Sequence, residues 1–306
     1  MTIPAATKVV YGKLVLVAIL WGGTFIAGRV AAAEMPAPTA ALWRFLVASV
    51  ALLALSWRLE GGLPVLSRQQ WIGVTLLGLT GVAAYNLLFM FGLERVPASR
   101  GSLIMAFNPV ATLLGAALFL HEPLTRYRVV GILVALMGVT IVLGHGNPLN
   151  LFTGQVGIGE AALLGCSLAW VTYTLLGKSI LRGLSPLAAS TYAALTGTVV
   201  LALAAFVTGN LLVPQASLQG WASLVFLGVF GTAVAFVWFY EGVRAIGPAR
   251  TAVFINLVPV AAVTLGVLLL GEPLELSMLT GGALVILGVF IINRPAVATP
   301  AATVTA

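Results

Sequence analysis

The sequence predicts an all-α integral membrane protein of ten transmembrane helices. Three observations carry that expectation: a scarcity of charge, ten apolar stretches of spanning length, and a sequence that repeats itself after 150 residues. Of the 306 residues, 60% are hydrophobic and 8% charged, with a mean hydropathy of +1.11. Soluble domains carry about 25% charged residues, so this chain lacks the material for a water-facing surface. Other classes fall with it. The net charge of +7 comes from 15 Lys and Arg spread along the chain with no basic stripe, so no nucleic-acid partner is expected. Cys166 is the single cysteine, so there is no disulfide framework.

A spanning helix needs about 20 mostly apolar residues. Reading between charges and turn residues gives candidate spans at 13–32, 38–58, 70–93, 98–120, 127–145, 157–177, 185–208, 219–241, 250–270 and 276–293. The first follows Lys8 and Lys13. Its apolar run and Ala31-Ala32-Ala33 imitate a cleaved signal, but Arg29 after the run and an internal counterpart of the span favour retention. The second contains Arg44 and ends at Arg58. The third, fourth and ninth are clean, with no charge in 69–93, 101–120 or 251–271. The uncharged stretch 183–240 is too long for one helix and divides near Gly209, Asn210 and Pro214 into spans seven and eight. No segment alternates as a membrane β-strand would.

The loops are short enough for the positive-inside rule. With the N-terminus in the cytoplasm, the inner segments hold Lys8, Lys13, Arg58, Arg68, Arg126, Arg128, Lys178, Arg182, Arg244, Arg250 and Arg294. The outer segments hold Arg29, Arg95 and Arg100. Eleven against three, with Arg44 inside a span, predicts cytoplasmic N- and C-termini.

Shifted by 150 residues, Trp71–Leu143 aligns without a gap on Trp221–Asn293, with 20 of 73 positions identical. The matches include Trp71/Trp221, Gly78/Gly228, Gly81/Gly231, Gly92/Gly242, Arg100/Arg250 and Pro109/Pro259. They also include Glu122-Pro123-Leu124 with Glu272-Pro273-Leu274, Gly131/Gly281 and Gly138/Gly288. At an offset of 149, Trp21 meets Trp170. The organisation is therefore a first five-helix repeat at 1–146, a second at 147–294, and a disordered tail at 295–306. Five is odd, so the second repeat crosses the membrane inverted. Inverted repeats are a transporter device, letting one packing open to either side around a site near the midplane. A duplication retained in a membrane enzyme or scaffold is the competing reading.

Two five-helix repeats, each closing its fourth helix with Glu-Pro-Leu, resemble the drug/metabolite transporter superfamily, in particular its ten-helix EamA-type branch. Trp21-Gly22-Gly23-Thr24-Phe25, Trp43-Arg44-Phe45 and Pro97-Ala98-Ser99-Arg100-Gly101-Ser102 add to the resemblance. It covers the whole chain and is specific in combination, each motif being weak alone. It implies a bacterial inner-membrane exporter of amino acids, of the aromatic amino-acid type, or of other small metabolites. It also implies that helices 1–4 and 6–9 surround a central cavity, with 5 and 10 peripheral.

Ionisable groups inside a membrane mark function, and this chain has almost none at mid-depth. Glu94, Glu122, Glu160, Glu241 and Glu272 fall near span ends. Arg44 is expected to anchor or guard the outer mouth, by snorkelling or by pairing with Glu34. The interior is instead aromatic and neutral polar. Candidate substrate-binding residues are Trp21, Thr24, Tyr85, Asn86, Phe89, Ser102, Phe107, Asn108, Trp170, Tyr173, Thr174, Phe236, Trp238, Phe239, Tyr240 and Asn256. Such a lining suits a neutral or zwitterionic solute of amino-acid size. Each of these aromatics has a plainer reading, as lipid contact or helix packing, and each Asn as a helix-to-helix hydrogen bond. Trp71 and Trp221, at span starts, read as interface anchors.

Pro109 and Pro259 are candidate hinges, because proline removes a helical N–H and frees the carbonyls of Met105 and Ile255. Glu122 and Glu272 read as turn-stabilising, and Gly131, Gly138, Gly281 and Gly288 as sites of close helix packing, within one chain or in a dimer. His121 and His145 lie at span ends, away from any nucleophile pattern. There is no catalytic constellation, no phosphate loop for ATP, no metal cluster and no expected cofactor. The partners expected are a small-molecule substrate and membrane lipid, with monomer and homodimer both open. The expected function is export of amino acids or related metabolites by alternating access. A drug exporter of the same superfamily, or a non-transporting scaffold, would share much of this sequence.

Overall fold

A computed structural model describes residues 5–122, 124–151, 156–180, 183–211 and 215–293, without the side chains of 5–8, 151, 178–180 and 248–249. Pro123, Arg182, Pro214, Arg294 and the predicted tail at 295–306 lie outside the described residues. Ten helices carry the structure: α1 (Ala5–Glu34), α2 (Ala37–Glu60), α3 (Arg68–Arg95), α4 (Ala98–Leu120), α5 (Arg126–Leu143), α6 (Ile158–Ile180), α7 (Pro186–Val207), α8 (Leu218–Ile246), α9 (Arg250–Leu270) and α10 (Leu276–Ile292). Nine are long and apolar enough to span a membrane, and α10 is a shorter apolar helix. Among the described residues there is no strand. The chain is an all-α, multi-pass membrane protein.

Local chemistry sets the helix ends. Ser67 and Gln70 form a capping box at the start of α3, and Thr125, Ser185 and Ser217 cap α5, α7 and α8 with their hydroxyls. The α2 helix stops at Gly61, in the left-handed region at φ 75°. Helices α4 and α9 stop the same way at positions 150 apart: Gly271 has φ 64°, and His121 takes φ 54° without being glycine.

Contacts fall at two ends of the bundle. The near end holds the α2–α3, α4–α5, α6–α7 and α8–α9 connections. There Lys13 Nζ meets Glu241 Oε2 at 2.6 Å, and Ser185 Oγ donates to Glu60. At the far end, Glu34 accepts from the backbone N–H and hydroxyl of Ser217, both at 2.7 Å. Glu272 likewise accepts from the N–H groups of Ala98 and Ser99 at 2.7 and 2.8 Å, capping α4 from another loop.

Helices α5 and α10 form a tight antiparallel pair. A Cβ on Gly138 would lie 2.5 Å from the Gly281 carbonyl oxygen, and one on Gly288 would lie 2.6 Å from that of Gly131. The four glycines thus serve an interface within one chain, where absent side chains let backbones touch. Elsewhere α2 packs along α7, with Ser49 against Thr198 at 3.1 Å and Ser56 against Thr191 at 3.0 Å. Contacts recur at the spacing of the sequence repeat. Gly81 abuts Tyr173 as Gly231 abuts Thr24, and Gly92 abuts Leu163 as Gly242 abuts Leu14.

Two features exceed the helical pattern expected. Helices α3 and α8 each contain a π-helical segment, Gly78–Ala84 and Phe226–Val234. Both hold a glycine pair where a neighbouring helix comes too close for a side chain. A Cβ would lie 2.2 Å from Thr196 Oγ1 at Gly78 and 2.7 Å from Val47 Cγ1 at Gly228. Helices α4 and α9 are interrupted. A turn at Ala106–Phe107 and a 3₁₀ segment at Phe254–Leu257 precede new helical segments starting at Asn108 and Val258. Pro109 and Pro259 therefore stand in the first turn of a new segment, where a missing N–H costs nothing, and not inside a continuous bent helix.

Candidate functional site

The predicted residues divide into two aromatic clusters and a set of satisfied hydroxyls. The first cluster joins α3 and α6. Tyr85 stacks on Phe89 with centroids 6.0 Å apart, and Trp170 lies 5.8 Å from Tyr85 and 5.5 Å from Tyr173. Phe89 also meets Phe25 of α1 edge-on at 5.4 Å. Gly81 makes room for Tyr173, since a Cβ there would lie 2.2 Å from Cδ2.

The second cluster joins α1 and α8. Trp21 lies 6.2 Å from Phe236 and 5.3 Å from Phe239, and Tyr240 lies 6.3 Å from both. The Trp21 indole donates to the Gly231 carbonyl at 3.1 Å, inside the π segment of α8. This fixes the ring, as a buried indole N–H requires. Beneath Trp21 a crevice too tight for a water molecule runs between Leu14, Phe239, Phe254 and Ile255. Ser190 on α7 lies beside both Tyr173 and Tyr240, bringing the two clusters to a common neighbour. Trp238 stands apart at the near end, its ring 6.0 Å from Lys13 Nζ.

The hydroxyls serve their own helices. Thr24 donates to the Trp21 carbonyl, Thr174 to that of Trp170 and Ser102 to that of Ser99, at 2.6, 2.8 and 2.7 Å. The asparagines are less complete. Asn86 donates to the Val82 carbonyl at 2.8 Å, but its Oδ1 is buried without a partner, as is Oδ1 of Asn108. Phe107 and Asn108 sit half-buried at the break in α4, and Asn256 half-buried in the corresponding break of α9.

Arg44 departs most from expectation. It neither snorkels nor pairs with Glu34, whose carboxylate is engaged by Ser217. The residue is 8% exposed, and its Nε and Nη1 are buried without a hydrogen-bond partner. Its guanidinium lies 5.5 Å from the Phe45 ring and 5.6 Å from that of Phe89, distances at which aromatic faces attract a cation. Tyr85 and Cys166 are its titratable neighbours, a phenol and a thiol with no carboxylate among them. The Cys166 thiol donates to the Tyr85 carbonyl at 3.3 Å.

Sequence reasoning missed the counter-example, Arg100. It is 3% exposed, donates to the Leu143 carbonyl at 2.9 Å, and lies 2.6 Å from His145 Nδ1, 3.4 Å from Glu160 and 3.9 Å from Glu275. Four helices meet on one guanidinium. The sequence puts Arg100, His145 and Glu160 near the ends of separate spans, and nothing in their spacing ties them together. Ser190 and the π segments were missed for the same reason.

At the far end a groove of about 380 Å³ runs under the α1–α2 turn, lined by Glu34, Met35, Phe91, Glu94 and Arg95. Among the described residues no three His, Cys, Asp or Glu groups cluster as metal ligands.

Comparison with known proteins agrees with this architecture. The chain is 28% identical over 281 residues to the uncharacterized transporter YyaM of Bacillus subtilis, covering 92% of each chain. It is 33% identical over 284 residues to a probable terminal-alkyne amino-acid exporter of Streptantibioticus cattleyicolor, again covering 92% of each. It is 28% identical over 266 residues to the uncharacterized inner membrane transporter YedA of Escherichia coli K12, covering 87% of this chain and 84% of that one. A solved structure titled "Crystal structure of protein" shares the fold, with a TM-score of 0.64 and 18% identity over 93% of this chain and 97% of that one. The model of one family matches the chain twice, over residues 10–144 and 157–294, once in each half of the helix order. The chain belongs to the EamA-like transporter family.

Proposed function

We propose that this transporter exports amino acids or closely related small metabolites across the bacterial inner membrane. The observation that carries the reading is the interior itself: half-buried aromatic rings from α1, α3, α6 and α8, with unpartnered polar atoms among them and no carboxylate. Seven of the eight glutamates have partners or capping roles at helix ends (Glu34, Glu60, Glu94, Glu160, Glu241, Glu272 and Glu275). Glu122 lies at the end of α4 and is also engaged. A carrier of lipophilic cations would want an acid in its path. A neutral or zwitterionic solute wants aromatic walls and a few fixed polar groups. The Streptantibioticus relative, named for an amino-acid substrate, and the Escherichia relative, named for the inner membrane, support the same reading.

Transport would proceed by alternating access. Five helices per half, matched separately by one family model, and contacts that recur at the repeat spacing support two halves of opposite membrane orientation. Helices α1–α4 would rock against α6–α9, pivoting on the glycine-lined α5–α10 pair and flexing at the breaks before Pro109 and Pro259. The excess of Lys and Arg at the near end supports a cytoplasmic position for it. Without an acid in the interior, the solute would leave down its own gradient, with no tight proton coupling.

The test is uptake of labelled amino acids and of lipophilic cations into liposomes containing the purified protein, with and without an imposed pH gradient. The reading predicts saturable amino-acid uptake that ignores the gradient. Uptake that follows the gradient would refute facilitated export, and cation uptake alone would refute the substrate class.

A further inference from the structure

We infer that Arg44 is the docking point for the carboxylate of the transported solute, making the substrate class one that carries a single free carboxylate. The inference rests on the proposed transport function and adds the group that selects the substrate.

The argument starts from an imbalance. Arg44 is more than nine-tenths buried, yet two of its donor nitrogens have no acceptor and no acid lies beside it. A guanidinium offers five N–H donors in a rigid fork that matches a carboxylate. Burying one without a counter-ion is costly, and such groups persist where a ligand completes them. Phe45 and Phe89 hold the cation by their faces, which attracts it without consuming its donors.

The position fits a transport path. Arg44 is seven residues into α2, about 10 Å below the far end at 1.5 Å per residue. It touches Phe89, which stacks on Tyr85, which leans on Trp170. The cation therefore caps the first aromatic cluster on the side toward which an exporter delivers. Three residues before Phe89 on the same helix, Asn86 carries a buried acceptor, Oδ1, with no donor. A free donor fork on α2 and a free carbonyl on α3 complement the carboxylate and the ammonium of a zwitterion. A lone positive charge matches one carboxylate. A phosphate, with more charge and three oxygens to satisfy, would require further cations.

The experiment compares thermal unfolding of the purified protein with L-amino acids and with their carboxamides, which keep the side chain and ammonium but lose the anion. Inorganic phosphate is the third probe. In the natural protein the acids are expected to stabilise, with carboxamides binding about tenfold or more weakly. Arg44→Met should abolish that discrimination, and Arg44→Lys should retain part of it. Equal binding of acid and carboxamide by the natural protein would overturn the inference while leaving amino-acid transport standing, and it needs no variant to fold. So would an Arg44→Met protein that still discriminates. Stronger stabilisation by phosphate than by any carboxylate would overturn the substrate class. If neither series binds and none of its members is transported, the proposed function falls and the inference with it.

Discussion

Arg44 and Arg100 are both buried near the far end of the bundle, yet their surroundings are opposite. Arg100 ties α4 to α5, α6 and α10 through a carbonyl, a histidine and two glutamates. Arg44 has aromatic faces, neutral neighbours and unused donors. The difference teaches that burial alone does not assign a role to a membrane arginine. A compensated cation holds helices together. An uncompensated one stores unmet hydrogen-bonding capacity at the cost of stability.

Matched variants break or sharpen that contrast. Arg100→Met should give the largest loss of fold, about 3 kcal/mol, because Glu160, its side chain only 13% exposed, keeps its charge without its ion-pair partner while Glu275 stays half in solvent. Arg44→Met should leave stability unchanged or raise it by about 1 kcal/mol, since an apolar side chain replaces an unpaired charge. Thermal unfolding of both without ligand checks the pair, and similar losses in the two would erase the distinction. Next in size, Trp170→Ala removes the ring between Tyr85 and Tyr173. It should reduce the transport rate at limiting substrate about tenfold or more, with little change in the Arg100 region. Glu272→Gln should cost about 1 kcal/mol, by weakening the acceptor that caps α4 from the α9–α10 loop. Smallest is Lys13→Met. Its ion pair with Glu241 is a third to a half exposed, and its loss should cost well under about 1 kcal/mol.

Much of the fold was legible because hydrophobic length and turn residues act locally. The uncharged stretch 183–240 had to contain a break, and α7 and α8 flank it. The glycines at 131, 138, 281 and 288 were readable as packing sites because only backbone contact explains small residues at that spacing. What stayed hidden depends on contacts between distant segments. The π segments arise where Gly78 and Gly228 meet other helices, and no propensity encodes that. The prolines at 109 and 259 were visible, but whether each bends a helix or begins a segment depends on the turns before it. The aromatic clusters were half legible. The Trp21 and Trp170 pairing pointed to α1 and α6, each of which contributes to one cluster, while the donation of Thr24, Ser102 and Thr174 to carbonyls three or four residues earlier in their helices was not readable. Arg44 was conspicuous as the charge within a span, but its lack of a partner is a property of its neighbours.

The central claim is that a solute passes through the interior between α1–α4 and α6–α9 by alternating access. Counterflow tests it most directly: liposomes containing the protein are preloaded with an unlabelled amino acid, and accumulation of the labelled form is followed with the natural protein and with Trp170→Ala. The account predicts transient accumulation above equilibrium for the natural protein and its loss in the variant. Absence of accumulation for every amino acid transported, or identical behaviour of the two proteins, would contradict it.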